Sequence, residues 1–328
     1  MKIAFYDTKP YDKIWFEQVS REYGYNIKFF EHHLSLDSAP LCAGYNAVCA
    51  FVGDDLSAPV IEALHKAHVG LIALRCAGYN NVDINAAKGK LKVVRVPGYS
   101  PAAVAEHAFA LLLAVNRKTH RAFYRTRDNN FSINGLMGFN LRDKTAGVVG
   151  TGQIGKIWGE IAKGFGMRVL AYDTSPDPGT GFEYVTLDIL FTRCDVISLH
   201  CPLTDETRHM VDGKRLSRMK ESAVILNTSR GALIDTEALL GALLEGRIGG
   251  AGLDVYEEEN GYFYEDKSSE LMRDSDLTRL ISLPNVLVTS HQAFFTREAM
   301  QAIAMATMEN IYAFEHNKPL KNEVTAEG

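Results

Sequence analysis

Three residue types in the second half of the chain are spaced so that they could do chemistry together: Arg230 in ILNTSRGALID, the glutamates of DVYEEEN, and His291 in VLVTSHQAF. Each motif directly follows an apolar run that reads as a strand, so its side chains emerge at the carboxyl end of that strand. An arginine is always charged and presents a planar fork, which suits it to holding a carboxylate and polarising a neighbouring carbonyl. An imidazole exchanges a proton near neutral pH. A carboxylate beside it fixes the ring and stabilises its cation. Together these groups fit the reduction of a ketone adjacent to a carboxylate, or the reverse oxidation. Glu257, Glu258 and Glu259 are all within reach of such a histidine, and spacing does not choose among them. Of the other histidines, His32, His33, His65, His68, His107, His120 and His209 have no comparable strand-end setting and read as structural.

Such a reaction needs a hydride carrier, and GVVGTGQIG supplies the signature of one. The apolar run Thr145–Val149 leads into Gly150, Gly152 and Gly155 with GxGxxG spacing. The first glycine permits a tight turn, the second lets backbone amides approach a diphosphate, and the third lets the following helix lie against the strand. In a chain with 27 glycines the pattern alone can mark nothing more than a turn. Its second half is Asp173, about 20 residues on at the end of the run Arg168–Tyr172, where a carboxylate accepts hydrogen bonds from ribose hydroxyls. That charge repels a 2′-phosphate, and TSPDPGTG after it contains no arginine, so NAD is favoured over NADP.

The elements that must position these groups alternate between short β-rich runs and helical patterns, the mark of parallel sheets built from βαβ units. Lys2–Tyr6, Asn26–Phe30, Ala47–Val52, Gly70–Leu74 and Leu91–Val94 read as one set of strands, with a helix at Pro59–His68. Pro97 and Gly98 end that set, and a long helix starting near Pro101 crosses to a second one. The second set comprises six strands: Thr145–Val149, Arg168–Tyr172, Val196–Leu199, Val224–Asn227, Gly252–Val255 and Val286–Thr289. A second long amphipathic helix, Arg297–Phe314, precedes a tail that is predicted to return to the first set.

Bulk composition narrows the function classes. The 328 residues exceed what one core usually serves, and 46% hydrophobic with 23% charged residues describes an ordinary globular protein. A formal charge of -5 speaks against a nucleic-acid partner. The one basic cluster, Arg117, Lys118, Arg121, Arg125 and Arg127, reads as a solvated or subunit-facing helix stripe. Five cysteines without CxxC spacing argue against disulfides and a zinc site, and point to a reducing cytoplasm. MKIAFYDTKP reads as a strand and not a signal peptide, and the apolar run Ala108–Val115 is far short of the about 20 residues that span a bilayer. Neither a membrane role nor a metal is expected.

The order GTGQIG, HCPLT, NTSRGALID, GLDVYEEEN, VLVTSHQAF resembles the D-isomer-specific 2-hydroxyacid dehydrogenases. With RCAGYNNVD, VRVPGYSPAAVAEHA and NGYFYEDKS, the likeness extends over nearly the whole chain and is strongest to the branch of bacterial fermentative D-lactate enzymes. The resemblance implies two Rossmann-like domains: a smaller flavodoxin-like substrate domain at residues 1–100 completed by 298–328, and a doubly wound NAD-binding domain at 101–297. It implies that Arg230 binds substrate and polarises its carbonyl, that His291 is the proton donor and that Glu259 is its partner. It further implies that Ala77 and Gly78 take the substrate carboxylate through backbone amides, that the Tyr99 hydroxyl lies against it, and that Phe51 and Phe294 wall the substrate side chain. The matching NAD positions are Gly150, Gly152, Gln153, Ile154, Gly155, Asp173, Cys201, Pro202, Thr207, Thr228, Ser229 and Asp254. Pyruvate with NADH is the implied pair, in a homodimer or homotetramer whose domains close over the reactants. The D stereochemistry is carried entirely by the resemblance. Alternatives are another small 2-oxo acid, or an NADH-sensing corepressor-like protein on the same fold, which the absence of a basic segment disfavours.

Overall fold

The computed structural model describes residues 1–326, so the last two positions of the expected returning tail lie outside the described residues. The chain forms two compact units, Met1–Ser100 together with the chain from Phe295 onward, and Pro101–Phe294.

The first unit is built on five parallel strands: β1 (Lys2–Phe5), β2 (Asn26–Phe29), β3 (Ala47–Ala50), β4 (Leu71–Leu74) and β5 (Lys92–Val94). Their order, β2-β1-β3-β4-β5, is the flavodoxin-like one. β3 and β4 are buried at every residue, as continuous apolar runs covered on both faces must be. The C-terminal segment belongs to this sheet: Val324 N donates to Val93 O at 2.9 Å, and Arg95 N donates to Asn322 O at 3.1 Å. Helix Arg297–Glu315 packs on the same unit, with Tyr25 OH donating to Glu315 at 2.8 Å. The return to this unit falls between Phe294 and Phe295 rather than after Arg297. The whole helix thus travels with the first unit, including its Thr296 cap, which accepts from Ala299 N.

The second unit holds seven parallel strands, one more than sequence patterning predicts. They are β6 (Thr145–Val149), β7 (Arg168–Tyr172), β8 (Glu183–Tyr184), β9 (Val196–Leu199), β10 (Val224–Asn227), β11 (Gly250–Leu253) and β12 (Val286–Val288), in the order β12-β11-β10-β9-β6-β7-β8. This is the dinucleotide-binding order with a strand added beyond the sixth. The added strand is β12, whereas the one that patterning does not predict is the opposite edge strand β8, two residues long and too short for any period to reveal it. Two apolar clusters cover the sheet, one around Leu190, Phe191 and Ile225, the other around Phe109, Trp158 and Leu226.

The long crossing helix is broken. It runs Pro101–Arg117, Lys118 takes a left-handed conformation (φ 51°), and a new helix spans Thr119–Arg127. The Asn116 amide exchanges two 2.8 Å hydrogen bonds with the backbone of Phe139, and Lys118 Nζ donates to Met137 O, so the returning chain closes the first helix. The basic cluster is therefore split between two helices instead of forming one stripe. Among the described residues, no helix is long and apolar enough to cross a membrane.

Candidate active site

All strands of the second unit are parallel, so the residues that follow β6, β7, β9, β10, β11 and β12 share one edge of the sheet. The glycine turn leaves β6 there. Gly150 has φ +89°, and a Cβ on it would lie 2.8 Å from the backbone of His200 and Cys201. Gly155 packs so tightly that a Cβ would meet Gly150 O at 1.9 Å. Gly152, by contrast, faces open space and caps helix Gln153–Gly164, whose first amides are left for a ligand. Gln153 is exposed at that helix start, while Ile154 turns towards the core.

Asp173 directly follows β7 and is tied to the same turn. It accepts from Thr151 N at 2.6 Å, from Thr151 Oγ1 at 3.0 Å and from Ser175 N at 2.8 Å. Burial opposes its ionisation, but these bonds outweigh burial and hold the carboxyl below the usual range. Tyr184 of the unforeseen strand β8 donates to Thr151 Oγ1 at 3.0 Å, so the edge strand buttresses the loop.

After β9 and β10 the chain lines the same edge with Cys201, Pro202, Thr207, Thr228 and Ser229. Ser229 Oγ donates to Cys201 O at 2.7 Å, and Thr207 Oγ1 to Pro202 O at 2.8 Å, which fixes the two loops. Thr228 Oγ1 is buried without a hydrogen-bond partner among the described residues, which suits it to a polar ligand group at this edge. The open ground at Gly152, the free helix start and this orphaned hydroxyl fit a dinucleotide.

Arg230 is half-buried next to them. Its Nη1 donates to Ser229 O at 2.7 Å, and Asn227 Nδ2 holds the Arg230 carbonyl at 2.8 Å. His291 follows β12. β11 alone separates β10 from β12, so the two strands that lead into Arg230 and His291 lie about 10 Å apart. His291 is left-handed (φ 52°), and its Nδ1 lies 2.8 Å from Glu259 Oε1, which leaves Nε2 as the ring nitrogen available for proton exchange. Glu259 Oε2 in turn accepts from Tyr256 N at 3.1 Å. The run of three glutamates is thereby sorted: Glu257 pairs with His209 at 2.7 Å, Glu258 is exposed, and Glu259 meets His291.

Asp254 is fully buried. Its carboxylate accepts from Thr289 Oγ1 at 2.5 Å, Gln292 N at 2.9 Å and Ala293 N at 2.7 Å, with His107 Nε2 at 3.4 Å. Burial raises its pKa, and these donors more than reverse that, keeping it ionised. Asp254 O also accepts from His291 N at 2.7 Å, so this residue builds the seat on which His291 rests. Tyr264 adds to it by donating to His291 O at 2.8 Å. Sequence reading missed His107, Thr289 and Tyr264 as parts of the site. A histidine within helix Pro101–Arg117 carries no local sign of its partners.

In the first unit, Phe51 and the Ala77–Gly78 turn follow β3 and β4 at the carboxyl edge of that sheet, and Tyr99 follows β5. Phe51 is almost buried, and Ala77 O accepts from Arg95 Nη1 at 2.9 Å. Tyr99 is half-buried, while Phe294 is buried in the second unit.

Residues 109–293 match the family model for the NAD-binding domain of D-isomer-specific 2-hydroxyacid dehydrogenases. The chain is 50% identical over 328 residues to the D-lactate dehydrogenase of Escherichia coli strain K12, covering 99% of this chain and 100% of that one. The apo-structure of D-lactate dehydrogenase from Escherichia coli superposes with a TM-score of 0.92 at 49% identity, covering 99% and 100% of the two chains. A structure reported as the pyruvate reductase of Chlamydomonas reinhardtii gives 0.94 at 42% identity, covering 98% of each. An NAD-complexed D-isomer specific 2-hydroxyacid dehydrogenase from Lactobacillus delbrueckii ssp. bulgaricus gives 0.82 at 30% identity, covering 99% and 100%.

Proposed function

The chain belongs to the D-isomer-specific 2-hydroxyacid dehydrogenases, NAD-dependent oxidoreductases, and from that premise we propose that it reduces pyruvate to D-lactate and runs the reverse reaction. The observation that carries the reading is the Glu259–His291 pair, on a loop after a strand of the same parallel sheet whose other strands lead into Arg230 and the glycine turn.

In this reading the second unit binds the cofactor and the first, completed by the C-terminal segment, supplies the substrate loops. NADH, when bound, supplies the hydride to C2. The Arg230 guanidinium holds the substrate carboxylate and draws charge onto the ketone oxygen, so the same contact strengthens as the alkoxide develops. The Ala77 and Gly78 amides and the Tyr99 hydroxyl complete the carboxylate site, and Phe51 and Phe294 bound the methyl. His291 donates its Nε2 proton to the oxygen while Glu259 accepts from Nδ1 and stabilises the imidazolium. On the cofactor side, Gly150, Gly152 and Gly155 with the amides of Gln153 and Ile154 take the diphosphate. Asp173 takes the ribose, Cys201, Pro202, Thr207, Thr228 and Ser229 line the remainder, and Asp254 fixes the loop that carries His291. All five cysteines are free thiols, which supports a cytoplasmic home, and the family resemblance supports a homodimer or homotetramer.

The test is a panel of 2-oxo acids, pyruvate, 2-oxobutyrate, hydroxypyruvate, glyoxylate and phenylpyruvate, followed by loss of NADH or NADPH absorbance. Pyruvate with NADH should give the highest kcat/KM, and the product should be the D enantiomer. Preference for another acid, an L product, or cofactor binding without turnover overturns the proposal.

A further inference from the structure

The first unit buries a cluster of charge at the carboxyl ends of β1, β3 and β4 and in the first turn of the helix Pro10–Tyr23. In this strand order the chain changes direction between β1 and β3, the point at which doubly wound sheets bind ligands. Arg75, directly after β4, is 3% exposed, and Asp7, Asp12 and Asp54 are no more than 2% exposed. Arg75 Nη2 donates to Asp7 O at 2.7 Å and lies 3.6 Å from an Asp12 carboxylate oxygen and 3.9 Å from one of Asp7. Lys9 Nζ meets Asp7 at 2.9 Å, and His33 Nδ1 stands 3.7 Å from Asp7 and 3.9 Å from Asp54. Buried ion clusters seldom stabilise a fold more than apolar residues of equal volume would. Stability alone therefore does not account for this one.

The cluster's guanidinium lies over two rings, one of them Phe51. The guanidinium carbon of Arg75 lies 4.6 Å from the ring centroid of Phe51 and 4.6 Å from that of Phe5. Its Nη1 is buried with no hydrogen-bond partner among the described residues, so the group serves as a flat cationic plate as much as a donor. The backbone under the ring is pinned as well. Asp54 accepts from Phe51 N and from Leu34 N, each at 2.6 Å, and Asn81 Nδ2 donates to Phe51 O at 2.9 Å and to Asp54 O at 2.8 Å. Burial pushes the Asp54 carboxyl up to about 6, against the pull of the Arg75 cation. Arg75 also leads directly into the Cys76–Gly78 turn, where Cys76 Sγ donates to Gly78 O at 3.2 Å.

We propose that Arg75 is a positioning residue for substrate selectivity, fixing the Phe51 ring by stacking and so setting the size of the 2-oxo acid side chain that is accepted. The inference rests on the reading of Phe51 as a wall of the substrate site.

Two variants test it. Arg75→Lys keeps a cation among the three aspartates but removes the plate, and Asn81→Ala loosens the 51–54 backbone without touching a charge. The readout is the ratio of kcat/KM for pyruvate to that for 2-oxobutyrate and for phenylpyruvate, with NADH Kd from fluorescence quenching. Such a ratio does not depend on how much of the sample is folded. Arg75→Lys should lower it about tenfold, chiefly through a higher KM for pyruvate, since pocket size is worth that much in discrimination. NADH Kd should stay within about twofold, and Asn81→Ala should move the ratio the same way by less. Equal losses on every acid, with the ratio unchanged in both variants, would overturn the proposal and leave Arg75 a structural residue. If Arg75→Lys does not fold, an unchanged ratio in Asn81→Ala overturns it alone. Failure of the wild-type protein to prefer pyruvate would instead count against the functional reading.

Discussion

Two histidine–glutamate pairs spring from the same run of glutamates. His209 Nε2 lies 2.7 Å from Glu257, and His291 Nδ1 lies 2.8 Å from Glu259. Both histidines even share a left-handed backbone, φ 50° and 52°. The surroundings separate them. His209 is 41% exposed on a loop and shares its carboxylate with Arg208 at 3.8 Å, whereas His291 is 21% exposed and has its carbonyl held by Tyr264. His291 also spends Nδ1 on its partner, which leaves Nε2 for a ligand, and it stands on the sheet edge that carries Arg230 and the glycine turn. A short imidazole–carboxylate distance thus does not by itself mark a reactive pair, and its place in the sheet is what gives it chemistry.

The sharpest way to break this comparison is to remove each imidazole in turn. His291→Asn should lower kcat for pyruvate reduction about 10³-fold, the middle of the range for a lost general acid. His209→Asn should stay within about twofold of wild type. Steady-state kinetics on both proteins decides it, and comparable losses in the two variants would erase the distinction.

How much of this was legible in the sequence depended on how local each signal is. The glycine turn, Asp173, Arg230 and His291 were readable because each sits within a few residues of a strand end, where parallel topology sends side chains to one edge. Three identical glutamates in a row were not separable. Which of them faces His291 depends on the loop path fixed by Tyr256 N on Glu259 Oε2 and by Tyr262 and Phe263 donating to Glu259 O. By its sequence setting His107 reads as structural. It is, but its structure is the site itself, since it lies 3.1 Å from Thr289 and 3.4 Å from Asp254 across a sequence gap no pattern bridges. The Arg75 cluster hid for the same reason, its members coming from the ends of β1, β2, β3 and β4 and from the start of the helix Pro10–Tyr23. The break at Lys118 lacks the glycine or proline that would announce it.

Trimming the carboxylates sharpens the contrast at smaller scale. Glu259→Gln should retain the hydrogen bond but not the charge, and should lower kcat about 10–100-fold, as loss of an orienting partner does. Glu257→Gln should leave kcat unchanged. Direction of reaction tests the same assignment. A proton donor in reduction is the proton acceptor in oxidation, so His291→Asn should slow pyruvate reduction and lactate oxidation alike. A loss confined to one direction would argue against His291 as the proton carrier.

The smallest effect belongs to the pair without chemistry. With its imidazole 41% exposed, the His209–Glu257 contact is screened by solvent, and His209→Gln should cost only about 0.2–1 kcal/mol of stability. Chemical denaturation at low ionic strength should resolve a small drop in midpoint that shrinks in about 1 M salt, where screening falls to about 3 Å. The Asp254 carboxylate beneath His291 is the control for this measurement. It has 0% exposure, and Asp254→Ala would strand His107 and the Thr289, Gln292 and Ala293 donors, so its cost should be several-fold larger and nearly independent of salt. A salt-insensitive loss at His209 as large as that at Asp254 would mean that the exposed pair is structurally built in, and the two glutamate pairs would then differ in reactivity alone.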